Sequence, residues 1–127
     1  MSRTLRHYIS IVLLCLSFWS SGVFLIRFMS DYRLWSGWTE VLLFVVSPVV
    51  ATVCIVAVRR ALTLTSDTFV PTIVLITGLV VGLHGLVLIL FPALYGDRSY
   101  LLPSVIWLVW FCSSVLLPLA ALARMVE

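Results

Sequence analysis

Long uninterrupted apolar runs alternate with short polar punctuation along this chain. The uncharged stretches run from Tyr8 to Ile26, from Val41 to Val58, from Val70 to Pro92 with an apolar tail to Tyr95, and from Leu101 to Ala123. A bilayer core about 30 Å thick takes about 20 residues of helix, so each run predicts one transmembrane helix. The runs do not alternate in polarity, and they are about twice the length of the strand-sized segments an outer-membrane barrel would show. The prolines fit the same reading. Pro71 and Pro103 stand in the first turn of the third and fourth spans, where a missing N–H is harmless. Pro92 helps to end the third. Pro48 and Pro118 fall inside the second and fourth, as membrane helices tolerate, usually with a kink. Arg3 and Arg6 before the first run, with Ser20-Ser21-Gly22 late in it, imitate a secretory leader, but Val23 to Ile26 carry the apolar run past that point. The expectation is an all-α integral membrane four-helix bundle, one transmembrane domain over 1–127.

Composition sharpens that class. Of 127 residues, 63% are apolar and 10% charged, with a mean hydropathy of +1.23, whereas a soluble domain is about a quarter charged. All 13 formally charged residues (eight basic, five acidic) lie outside the four spans, so charge sets orientation. An even number of spans puts both termini on one side. That side carries Arg3, Arg6, Arg59, Arg60 and Arg124; the other carries Arg27, Arg33 and Arg98. The positive-inside rule then predicts cytoplasmic termini. The exclusive use of arginine over lysine hints at a GC-rich bacterial genome, hence an inner membrane. No basic patch is interleaved with aromatics, so the partner of the positive charge is the lipid headgroup layer and not nucleic acid. Tyr32, Trp35, Trp38, Tyr95 and Tyr100 cluster near the outer interface and read as an aromatic belt. A sharper alternative lays residues 27–40 along the outer surface as an amphipathic cap. On either reading Arg27, Asp31, Arg33, Glu40, Asp97 and Arg98 are candidates for an outer ionic cluster.

His84 is the one imidazole within a span, placed by the hydrophobic pattern close to the midplane. An ionisable group there is a functional candidate by default; the plainer reading is a neutral histidine bonded to a Ser, a Thr or a backbone carbonyl. Ser17, Ser21, Ser47, Thr77, Ser113 and Ser114 share its depth, and Thr77 lies two turns before it on one face. Pointing inward, these would make a polar layer able to hold a small polar ligand or pass a proton. Ordinary interhelical hydrogen bonding is the alternative. Gly78, Gly82 and Gly85 form a stripe about 60° wide on the same helix, roughly 125° from His84. Such a small-residue seam allows close helix approach, either within the bundle or to a second copy, with Ser10, Ser17 and Ser21 of the first span as a possible counterpart.

Much chemistry is excluded. Cys15, Cys54 and Cys112 are isolated within spans one, two and four, and no C-x-x-C pair is present, which removes the quinone-coupled disulfide-forming type. His7 and His84 differ in depth, so bis-histidine haem ligation is not expected. No His, Cys or carboxylate cluster has metal-ligand spacing, and no phosphate loop or nucleophile–base pair is present. No cofactor is expected. Small multidrug transporters of similar length depend on a glutamate inside the first span, and here every acid is outside the spans. Gly82-Leu83-His84-Gly85-Leu86, Leu90-Phe91-Pro92-Ala93-Leu94-Tyr95-Gly96 and Leu108-Val109-Trp110 resemble uncharacterised families of small four-helix bacterial inner-membrane proteins. Those families often carry an acid near the His84 position, which this chain lacks, and the resemblance implies no activity. The leading functional expectation is a non-enzymatic multi-pass protein, acting as a homodimer or an accessory subunit of a larger membrane assembly. The rivals are a minimal small-solute or proton-linked transporter or channel through the His84 layer, and a lipid- or quinone-handling enzyme using the Asp97/Arg98 loop.

Overall fold

A computed structural model describes residues 2–125. It contains four long helices: α1 (Arg3–Asp31), α2 (Gly37–Ala61), α3 (Ser66–Leu90) and α4 (Leu101–Arg124). All four are long and apolar enough to cross a membrane, and only about a fifth of each span is buried inside the protein. Side chains such as Phe24, Val45, Ile89 and Leu117 turn most of their surface outward. In water that would be an untenable apolar surface; against lipid tails it is the matching one.

α1 and α3 begin ahead of their hydrophobic stretches because polar residues cap them. Ser2 accepts a hydrogen bond from the Leu5 N–H at 3.1 Å. At the start of α3 the Thr65 N–H donates to Thr68 Oγ1 at 3.0 Å, so the helix begins at Ser66, and Pro71 stands inside it rather than in its first turn. α1 and α2 end alike. Arg33 and Thr63 adopt left-handed backbone with φ of 55° and 49°. The Leu34 N–H then reaches back to Met29 O at 2.7 Å and the Leu64 N–H to Arg59 O at 3.0 Å. These are Schellman closures that satisfy the last carbonyls of each helix. The segment 27–40 is therefore not a surface cap. It is the last turn of α1, a five-residue turn (32–36) and the first turn of α2.

α1 packs along α3, and α2 along α4; α3 and α4 meet and join the two pairs, whereas α1 and α2 scarcely touch. The order around the bundle is thus α1, α3, α4, α2, with a seam between α1 and α2. Two apolar clusters fill the ends. Ile11, Ile55, Phe69, Ile73 and Leu119 form the one nearer the termini, and Val23, Ile26, Met29, Trp35, Tyr95 and Trp107 form the other. The aromatic belt is consequently split. Tyr32 and Trp38 are exposed, but Trp35 and Tyr95 are buried core residues. Trp35 is held by an indole N–H bond to Ser30 Oγ at 3.2 Å.

The α2–α4 contact answers a backbone problem. Pro48 has no N–H, so the carbonyl four residues before it, Phe44 O, loses its helical donor. Trp110 supplies one from α4, its Nε1–H donating to Phe44 O at 2.8 Å. One turn away Trp107 Nε1–H donates to Ser47 Oγ at 2.9 Å, and the Ser47 O–H in turn donates to Leu43 O. Trp110→Phe should therefore destabilise the protein by about 0.6–1.7 kcal/mol in detergent unfolding. In a Pro48→Ala background, where residue 48 regains its N–H, the same change should cost markedly less; strictly additive losses would refute the pairing.

Candidate functional site

The site is built where α1, α3 and the α3–α4 connection converge. α3 stops at Leu90 because Pro92 cannot continue it. The chain then folds back through two 3₁₀ turns, Pro92–Tyr95 and Arg98–Tyr100. Gly96 allows the close fit. It has a φ of 105°, and a Cβ there would stand 2.8 Å from Ser30 Cβ on α1. This return drives Tyr95, 1% exposed, down between α1 and α3, where its phenol meets His84 Nδ1 at 2.7 Å. The partner of His84 is thus a tyrosine from the connecting segment, rather than a serine, threonine or carbonyl of a neighbouring helix. α3 is centred near residue 78, and His84 lies six residues, about 9 Å, toward its C-terminal end.

The donors and acceptors fix the proton positions. Tyr95 must give its O–H to an acceptor, and among the described residues the one acceptor within hydrogen-bond geometry is His84 Nδ1, because the Trp19 side chain that also approaches the phenol can only donate to it. Trp19, whose ring lies 6.5 Å from that of His84, has only an N–H to offer, and that Nε1 is buried without a partner. The phenol therefore donates to Nδ1, and the neutral imidazole carries its own proton on Nε2. Nε2 faces α1 at Gly22, where an added Cβ would stand only 2.8 Å away.

Beside this group lies a cavity of about 240 Å³, walled by all four helices. Its lining is almost wholly apolar, including Phe18 and Leu25 from α1, Ala51 and Ile55 from α2, Val80 from α3 and Phe111 from α4. Of the residues expected to form a polar layer, Ser21, Ser47, Thr77 and His84 do line this one space. Ser17 and Ser113 face outward, each bonded to a carbonyl of its own helix. Ser114 is buried but donates to Trp110 O and stands outside the cavity wall. Ser21 also back-bonds, to Ser17 O at 2.7 Å, and Thr77 to Ile73 O at 2.8 Å.

The glycine stripe lies on the opposite side of α3. Gly78, Gly82 and Gly85 are exposed, and a Cβ at any of them would meet nothing within 4 Å. The seam is not used inside the bundle, and the serines of α1 do not pack on it within this chain.

The charges expected to form an outer cluster are less concerted than their clustering in sequence suggests. Arg27 and Asp31 pair across one turn of α1 at 3.7 Å, both about half exposed, a contact of little energetic weight. Asp97 caps the second 3₁₀ turn. The backbone N–H of Ser99, at 2.9 Å, and then its hydroxyl, at 2.7 Å, hold the Asp97 carboxyl below the usual range, with Arg33 adding attraction. Glu40 lies in the first turn of α2, where the helix dipole favours a negative charge. Neither Glu40 nor Arg98 makes an ion pair among the described residues.

The fold and site define a multi-pass helical membrane protein with an intramembrane cavity. Compared with protein-family profiles, curated proteins and solved structures, the chain matches none of them, so each residue role rests on geometry alone.

Two glycines of similar helical setting should behave oppositely. Gly22→Ala forces His84 off Tyr95 and should destabilise by about 1–3 kcal/mol. Gly78→Ala, with open space around it and a better helix former in place, should be neutral or stabilising by up to about 1 kcal/mol. Unfolding in detergent compares them, and equal effects would argue against the close His84–Gly22 packing.

Proposed function

We propose that the protein is a non-enzymatic multi-pass protein of a bacterial inner membrane that works by associating with other transmembrane helices, as a homodimer or as a subunit of a larger assembly. The observation that carries this reading is the outward, uncovered groove at Gly78, Gly82 and Gly85 on α3. Small residues spaced in this way let a second helix approach closely, and van der Waals packing drives association when lipid offers no hydrophobic penalty. The short connections support the same reading. The turns 32–36 and 62–65 and the folded-back segment 91–100 leave little surface outside the bilayer, so partners meet the helices themselves. A proton or solute pathway through the His84 layer has less support, because the apolar clusters around Phe69 and Trp107 stand on either side of the cavity along the bundle. Orientation with both termini in the cytoplasm rests on the arginine distribution, five on that side against three.

Purification from native membranes in mild detergent, followed by cross-linking, tests the association. The wild type should run as a dimer or with a stoichiometric partner, and Gly82→Leu should release it. A chain that stays solitary, or a complex indifferent to Gly82→Leu, would sink the reading. For the orientation, single cysteines placed at Ser2 and Ser99 in a cysteine-free background should label from opposite faces, with Ser99 accessible from outside intact cells. Labelling of both from one face would overturn the threading.

A further inference from the structure

We propose that the cavity is a binding site for a lipid-soluble carbonyl compound of about two rings' bulk, reached sideways from the bilayer between α1 and α2. This goes beyond helix association and does not depend on it. Size comes first. An engineered apolar cavity of about 150 Å³ takes up benzene, and this one is about 240 Å³, enough for a fused pair of rings. Access comes next. α1 and α2 scarcely touch, and the cavity residues Ser21, Val46 and Val50 on those two helices are exposed at its mouth. Polarity then selects the guest. The hydroxyls of Ser21, Ser47 and Thr77 already donate to carbonyls of their own helices, and Trp107 Nε1–H is taken up by Ser47. Cys54 and Cys112 offer only weak thiol donors. His84 is 5% exposed, its Nδ1 accepts from Tyr95, and its Nε2–H is left without a partner beside Gly22, a residue that also lines the cavity. An unpaired donor in an apolar wall calls for an acceptor. A guest with an apolar body and a carbonyl oxygen supplies one, and a pure hydrocarbon does not.

The test uses the full chain in nanodiscs, with equilibrium dialysis against empty nanodiscs of the same lipid. The probes are the naphthoquinone menadione and methylnaphthalene, which share a carbon skeleton and differ in the carbonyls. Wild type should bind menadione saturably and about tenfold more tightly than methylnaphthalene. His84→Phe should remove that preference and leave methylnaphthalene affinity in place, which also shows that the cavity survives. Ser21→Phe, at the exposed mouth, should abolish saturable binding of both. Absence of saturable menadione binding by the wild type, equal wild-type affinity for the two probes, or a preference that persists in His84→Phe would each overturn the proposal. The wild-type comparison needs no variant and stands even if His84→Phe does not fold. Cross-linking of Gly82→Leu reports on association separately, so failure of one reading leaves the other to its own result.

Discussion

In hydrocarbon no water is at hand to take over a lost hydrogen bond, so a polar group released from its helix must find a partner within the protein. The arrangement of this molecule follows from that constraint. Pro48 frees the Phe44 carbonyl, and Trp110 reaches across from α4 to occupy it. Trp107 and Ser47 add a second bond at the next turn. α2 and α4 are held together where α2 is weakest, and the proline that would disrupt an isolated helix becomes the point that orients its neighbour. Most intramembrane hydroxyls meet the same constraint locally, by donating to a carbonyl four residues back. That bonding joins no helices, which is why a row of serines and threonines in sequence does not amount to a polar channel.

Where the constraint is met only in part, the structure has a candidate for chemistry. His84 and Tyr95 satisfy one another through Nδ1, which leaves the Nε2–H of His84 without an acceptor in the tautomer that bond selects, and the nearby Trp19 N–H is buried without a hydrogen bond. An unmet donor weighs on stability because its loss of solvation is not offset. Placed in the wall of an open cavity, the His84 donor becomes a means of recognition. The pairing depends on Gly96, which lets the 3₁₀ return lie against Ser30, and on Gly22, which makes room for the imidazole. Two glycines thus decide the site, while the three in the stripe on α3 leave the interior unaffected and shape the outer surface.

Much of the architecture was legible in the linear pattern. The four apolar runs mark the four helices, since a helix is the one open-chain element that satisfies its own backbone in lipid. Helix ends were less legible. The pattern loses α3 at Val70, whereas the Thr65–Thr68 bond starts it at Ser66. The turn at 32–36 hides behind charged residues that suggested a surface segment, because a Schellman closure with Arg33 in the glycine-like position has no glycine to announce it. By its place after the third apolar run, beside Tyr100, Tyr95 resembles a membrane-interface residue. A stop, a short turn and Gly96 were the available signal that the segment returns into the bundle.

Sequence alone determined that this chain lives in a bilayer, how many times it crosses, and that its charges stand at the ends. Those properties depend on transfer free energies that add residue by residue. Which face of each helix turns inward was left to tertiary structure. His84 and the glycine stripe occupy one helix, and the sequence permits either to face the core. Packing of α1 on α3, with Tyr95 wedged between them, turned His84 inward and the glycines outward. The physical reason is that facing is a choice among contacts distant in the chain, made by hydrogen bonds and close fits that hydrophobic periodicity does not encode.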